Sequence, residues 1–165
     1  MSASFNIDEV FEIAEQIERN GAKYYRKAAG YMEDPEAVTL LEDLAAMEDE
    51  HEQVFAGLRT RLAASEFGET VFDPDNEAAQ YLQALADGAV FDPNADPADR
   101  LKGTESLGEI LEIAITLEKE SINYYLGVKE VVPESLGRDR VDTIIKEEMG
   151  HVTLLTNRKR RLTGS

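Results

Sequence analysis

The feature that most constrains the fold is an internal repeat. FEIAEQIERNGAKYY, from Phe11, aligns without a gap to LEIAITLEKESINYY, from Leu111, an offset of one hundred residues. The same offset carries Asn6 to Ser106, Glu9 to Glu109, Glu18 to Glu118, Tyr24 to Tyr124, Tyr25 to Tyr125, Glu48 to Glu148 and His51 to His151. Self-similarity at a fixed offset marks a duplicated structural unit. Since the register survives the loop inside each copy, the unit is a pair of elements.

Those elements are helices. Val10, Phe11, Ala14, Ile17, Gly21, Tyr25 and Ala28 recur at the three- and four-residue spacing of one helix face. Leu41, Leu44, Met47, His51, Val54, Phe55 and Leu58 form a second stripe, opened by Asp34-Pro35 as cap and first turn. Ser106 with Glu109 is a capping box, and Asn6 with Glu9 resembles one. A third helix runs from Leu107 through Val128, and a fourth follows Pro133 through Val141, Ile144, Ile145, Val152 and Leu155. No strand pattern is present, so the expected class is all-α.

Two hairpins, at about 6–64 and 106–162, are thus joined by an Asp/Pro/Gly-rich connection at about 65–105 within one 165-residue domain. A short helix from about Asn76 to Asp87, burying Ala79, Leu82 and Leu85, is expected in that connection. Asp92, Asn94 and Asp96 have the spacing of a calcium loop, but Pro97 stands where the turn glycine belongs and Gly103 where the final glutamate belongs. A capped loop is the better reading.

Composition removes several functions. The formal net charge of -17 repels phosphate backbones and anionic membranes, so nucleic acid is not an expected partner. The basic run Arg158–Arg161 is expected to complement the dipole at the end of the last helix. No apolar run approaches a membrane span, and MSASFNIDEV lacks the pattern of a secretory signal; the expected address is cytoplasmic. With no cysteine in the chain, any metal must be held by nitrogen and oxygen.

Nitrogen and oxygen ligands are present in a suggestive arrangement. Residues three apart share a helix face, so Glu48 projects with His51 and Glu148 with His151, each pair inside an apolar stripe. Glu18 and Glu118 interrupt the stripes of the other two helices, beside Gly21 and Ser121. Glycine inside a helix costs about 1 kcal/mol relative to alanine, which implies that Gly21 makes room for something. With 22 glutamates in 165 residues, one Glu-x-x-His would carry little weight; the matched pair in register with Glu18 and Glu118 carries much more.

Four converging carboxylates need compensation, since each unpaired buried charge costs several kcal/mol or forces protonation. Two divalent cations would balance the four charges, and two neutral imidazoles would complete the coordination. The candidate metal ligands are therefore Glu18, Glu48, His51, Glu118, Glu148 and His151. A Glu from each of two helices plus a Glu-x-x-His from each of the other two is the dimetal carboxylate pattern of helical bundles. In the second copy Met47 is replaced by Glu147 and Glu50 by Gly150, so the positions around this frame read as free to vary.

Tyr25 and Tyr125 lie two turns beyond Glu18 and Glu118 on nearly the same face. They read either as core residues with a satisfied hydroxyl or as catalytic-site phenols, hydrogen-bonded to a ligand carboxylate or redox-active. Tyr24 and Tyr124 read as packing residues.

On Glu18, Glu48-x-x-His51, Glu118, Glu148-x-x-His151 and Tyr25, the chain resembles the four-helix di-iron domain of rubrerythrins in the ferritin-like superfamily, from about Asn6 to Thr156. The resemblance implies a ferritin-like, left-handed four-helix bundle with a long crossover between its second and third long helices. It also implies two iron ions, with manganese or zinc as substitutes: Glu48 and Glu148 bridging, Glu18 and His51 terminal on one iron, Glu118 and His151 on the other. The implied activity is an oxidoreductase reducing hydrogen peroxide or dioxygen, in a homodimer. The alternatives are iron handling, by oxidation and sequestration, or a metal-binding bundle without catalysis.

Two departures qualify the resemblance. Rubrerythrins typically carry a four-cysteine rubredoxin module, which this chain lacks, so a separate donor such as a rubredoxin-like protein would supply electrons. They also carry a further glutamate one turn after the third-helix ligand, where this chain has Ser121.

Overall fold

The computed structural model describes residues 7–64, 77–87 and 96–164. The expected cap at Asn6, the helix start at Asn76 and the loop residues Asp92 and Asn94 lie outside them. The described residues form five α-helices: α1 (Ile7–Ala29), α2 (Pro35–Ala64), α3 (Glu77–Asp87), α4 (Leu107–Val131) and α5 (Arg138–Thr163). No strand occurs among them, and no helix is long and apolar enough to cross a membrane.

The helix starts follow local chemistry. Pro35 opens α2, where its missing N–H costs nothing. At α4 the expected capping box is formed: Glu109 N–H donates to Ser106 Oγ, and Ser106 N–H donates to Glu109 Oε2, both at 3.2 Å. The last long helix follows Pro133, as expected, after one intervening turn. Pro133 leads into a 3-10 turn, Glu134–Leu136, and the helix begins only at Arg138 after Gly137 at φ 120°. The Gly137 backbone angle demands glycine, and Leu58 Cδ2 of α2 packs into the space a Cβ would fill, 2.3 Å from it.

Ion pairs show the directions of the long helices. Arg59 of α2 meets Asp8 and Glu15 of α1, while Glu52 meets Arg19 and Asp49 meets Arg26. Rising numbers in α1 meet falling numbers in α2, so the pair is antiparallel. Lys129–Asp142 and Glu112–Lys159 show the same for α4 and α5. Hydrogen bonds from Tyr24 to the Ile110 carbonyl and from Tyr124 to the Val10 carbonyl make α1 and α4 antiparallel as well. Helices α2 and α4 therefore run the same way, and the chain must return along the bundle between them. That is why the connection is long.

The return path is strapped to both hairpins. The start of a 3-10 turn, Pro97–Arg100, is capped by Asp96, whose side chain accepts from Ala98 N–H and pairs with Lys23 of α1. Lys27 donates to the Ala98 carbonyl at 2.8 Å. On the other side, Tyr81 of α3 donates to the Asn123 carbonyl, and Leu82 packs so closely on Gly127 that a Cβ there would lie 2.6 Å from Leu82 Cδ2. Of the expected crossover residues, Leu82 is buried, while Ala79 and Leu85 are partly covered.

The basic C-terminal run does more than face the end of its own helix. Arg158 reaches Asp34 and Glu36 at the start of α2, and Lys159 pairs with Glu112 of α4. These cations tie α5 to its neighbours.

The apolar core is divided. One cluster joins Val10, Phe11, Phe55, Leu58, Val128, Val141 and Ile144, with α3 contributing Leu82. The other joins Tyr24, Ala28, Leu41, Leu44, Ile110, Leu111 and Leu155. Between them in sequence, on all four long helices, lies a layer of buried polar residues.

Candidate metal centre

That layer is made of the six residues singled out by the repeat. Glu18 of α1, Glu48 and His51 of α2, Glu118 of α4, and Glu148 and His151 of α5 are all buried, with Glu148 fully inaccessible at 0%. Each interrupts an apolar stripe, so the packing that buries the stripe carries it inward. The structure brings all six together.

They form two overlapping clusters. Glu18, Glu48, His51 and Glu148 each place one ligand atom within 4.8 Å of the others, and Glu48, Glu118, Glu148 and His151 do the same. Glu48 and Glu148 belong to both. His51 Nδ1 lies 3.0 Å from Glu148 Oε1, 3.6 Å from Glu18 Oε2 and 3.8 Å from Glu48 Oε2. His151 Nδ1 lies 3.3 Å from Glu148 Oε2, 3.4 Å from Glu118 Oε1 and 3.8 Å from Glu48 Oε1. The imidazoles stack with ring centroids 5.9 Å apart.

The tyrosines cross between the halves. Tyr25 of the first copy donates to Glu118 Oε1 of the second at 2.5 Å, and Tyr125 donates to Glu18 Oε1 at 2.5 Å. Burial and then the neighbouring carboxylates hold both phenols well above their ordinary pKa, so each keeps its proton and serves as a donor. Tyr24 and Tyr124 instead bond main-chain carbonyls, as packing residues do.

A Cβ added to Gly21 would meet Glu48 Cδ and Cγ at an ordinary contact distance of 3.5 Å, so the position accepts a methyl group but lies against the glutamate side chain. Its counterpart Ser121 turns its hydroxyl back to the Leu117 carbonyl of its own helix.

Electrostatics of the cluster is that of a cation site. Burial and the facing charges of Glu48 and Glu148 push the Glu18 carboxyl well above its usual range. Burial, Glu48 and Glu118 do the same to Glu148, and burial with Glu118 raises Glu48. Burial also works against an ionised Glu118, but the neighbouring Glu148 and His151 and the hydrogen bond from Tyr25 prevail and bring it down to about 2. For the histidines, burial favours the neutral ring, yet the carboxylates outweigh it: His51 is raised far above its ordinary value and His151 to about 10. The cluster draws protons in, and an entering cation must displace them.

Among the described residues, four buried side-chain atoms have no hydrogen-bond partner: Glu18 Oε2, Glu148 Oε2, His151 Nδ1 and Arg158 Nε. The first three lie in the two clusters, Glu148 in both. With Glu18 Oε1 taken by Tyr125, the second oxygen is left for another partner. Hard oxygen donors with imidazole nitrogen, in two groups sharing two carboxylates, fit a pair of divalent metal ions.

One contact was not expected from sequence. Glu147, read there as a freely varying neighbour, places Oε2 2.6 Å from His51 Nε2. The equivalent residue of the first copy, Met47, places its sulfur 3.4 Å from His151 Nε2. The exchange of Met for Glu within the repeat was the signal, but helix periodicity alone does not place either side chain against the opposite helix.

No protein-family model and no curated protein matches the chain. Among solved structures, it is similar to the crystal structure of a Thermotoga maritima protein described as a ferritin-like diiron-carboxylate protein. The two share 23% identity over 97% of this chain and 98% of the other, with a TM-score of 0.75. The chain has the ferritin-like fold, four long helices with a short helix in the crossover, built around a buried Glu/His cluster suited to two metal ions.

Proposed function

We propose that the protein is a di-iron carboxylate oxidoreductase of rubrerythrin-like type, reducing hydrogen peroxide or dioxygen with electrons from an external donor. The observation that carries this reading is the set of partnerless buried atoms, Glu18 Oε2, Glu148 Oε2 and His151 Nδ1, within two clusters that share Glu48 and Glu148. Such atoms are costly in a protein interior unless something binds them.

Glu18 and His51 would hold one iron, Glu118 and His151 the other, with Glu48 and Glu148 common to both. Bound as a ferrous pair, iron supplies the two electrons needed to reduce an O–O bond. The protein supplies the rest. Tyr25 and Tyr125 each occupy one oxygen of a terminal carboxylate and so orient the other. The two apolar clusters exclude bulk water, which strengthens every charge interaction between them. Glu18 and Glu148, whose environments favour the protonated form, release protons as metal enters.

The test is to load the protein anaerobically with ferrous iron and to record its absorption before and after one equivalent of hydrogen peroxide. Two irons per chain and new absorption of a coupled ferric pair support the reading. Fewer than two irons, or a spectrum indifferent to peroxide, overturns it. Measuring the assembled mass separates it from the iron-handling alternative, since mineral storage requires a closed shell.

A further inference from the structure

The two halves of the site are not equivalent, and the difference lies behind the histidines. Each imidazole turns Nδ1 toward three carboxylates at 3.0 to 3.8 Å. On the far side, His51 Nε2 meets Glu147 Oε2 at 2.6 Å, whereas His151 Nε2 meets Met47 Sδ at 3.4 Å. Met47 and Glu147 occupy the same position of the repeat. The duplicated frame thus carries one strong acceptor and one weak one.

This matters because a metal-binding imidazole must offer one nitrogen as a lone pair and keep the proton on the other. An acceptor behind the ring selects that tautomer, fixes the ring plane and makes the ligand nitrogen more basic. A carboxylate does all three. A thioether is a poor acceptor and leaves the ring less constrained. Glu147 reaches His51 from the rim of the bundle: its side chain is 44% exposed while His51 is 3% exposed. It can be exchanged without opening a cavity in the core.

We infer that Glu147 is a positioning residue that makes the metal position beside His51 the tighter, first-filled one, while Met47 leaves the position beside His151 the weaker. The inference rests on the dimetal reading above. It assigns a division of labour within the site: a pair of metals that fill in sequence and differ in the basicity of their nitrogen ligand.

The test uses cobalt(II) added stepwise to the chelator-washed full-length protein, followed by calorimetry and by the visible absorption of bound cobalt. The unsubstituted protein should fill in two steps at least tenfold apart in affinity. His51→Ala should abolish the tighter step and His151→Ala the weaker. Glu147→Met should weaken the tighter step by about 10- to 100-fold, the cost of losing such a partner. Glu147→Gln removes the same charge but keeps an acceptor, and should retain most of the affinity. Met47→Glu should strengthen the weaker step and draw the two together. Two equal steps in the unsubstituted protein, or equal losses in Glu147→Met and Glu147→Gln, overturn the inference while leaving the metal site intact. No cobalt bound by the unsubstituted protein overturns the dimetal reading itself, and this inference with it.

Discussion

The hydroxyl of Tyr125 donates to Glu18 Oε1 at 2.5 Å, joining α4 to α1 across the middle of the bundle. The mirror contact, Tyr25 to Glu118, joins the same helices in the opposite sense. Each copy of the repeat therefore orients a carboxylate of the other. A buried hydrogen bond to a charged acceptor is worth about 1.5–3 kcal/mol. Tyr125→Phe is expected to lower the stability of the metal-loaded protein by about that amount, read as a shift in the urea midpoint, with both metals retained. Unchanged stability together with unchanged metal affinity would remove Tyr125 from the support of Glu18.

The shared glutamates should matter differently from the terminal ones. Glu148 belongs to both clusters and Glu18 to one. Glu148→Ala is expected to empty both positions, and Glu18→Ala to spare one. Metal analysis beside far-ultraviolet circular dichroism checks this; two irons retained in Glu148→Ala, with helices intact, would remove Glu148 from the site.

The metal-free protein should lose stability as pH rises. The unfolded-state values are 4.5 for Glu18 and Glu148 and 6.5 for His151. All three are raised on folding, His151 to about 10. Stability from a raised group is complete below its unfolded value and is lost as pH climbs through the folded one. Melting temperature of the metal-free protein should fall from pH 6.5 to 10, whereas metal affinity should rise over that range because fewer protons must be displaced. A flat melting profile in the metal-free state would show that the histidines do not hold protons there.

Gly21 offers a graded test of space. Its Cβ would meet Glu48 at an ordinary contact distance of 3.5 Å, so alanine fits. Gly21→Ala should stabilise the protein by up to about 1 kcal/mol through helix propensity, with metal content unchanged. Gly21→Leu must push Glu48 aside and should weaken metal binding at both positions. Thermal melts and metal analysis of the two variants decide it.

Much of the architecture was legible because helices announce themselves by period. The stripes of α1, α2, α4 and α5, the Ser106 cap and the short crossover helix follow from local rules that the tertiary structure had no reason to override. The six clustered residues were legible for a second reason: a charged residue inside an apolar stripe has nowhere to go but inward. The start of α5 was not legible. Pro133 marks only that the helix follows it, and the 3-10 turn that ends at Gly137 against Leu58 has no periodic signal.

From its sequence alone, then, this protein is a duplicated helical hairpin with Glu18, Glu48, His51, Glu118, Glu148 and His151 on inward faces, because the period of a helix assigns every residue to a side. Which residues meet across helices is another matter. That Tyr25 serves Glu118 and not Glu18 depends on how neighbouring helices lie along one another. So does the pairing of His51 with Glu147 and of His151 with Met47. Periodicity orients a side chain about its own axis, and only packing supplies the atom at its far end.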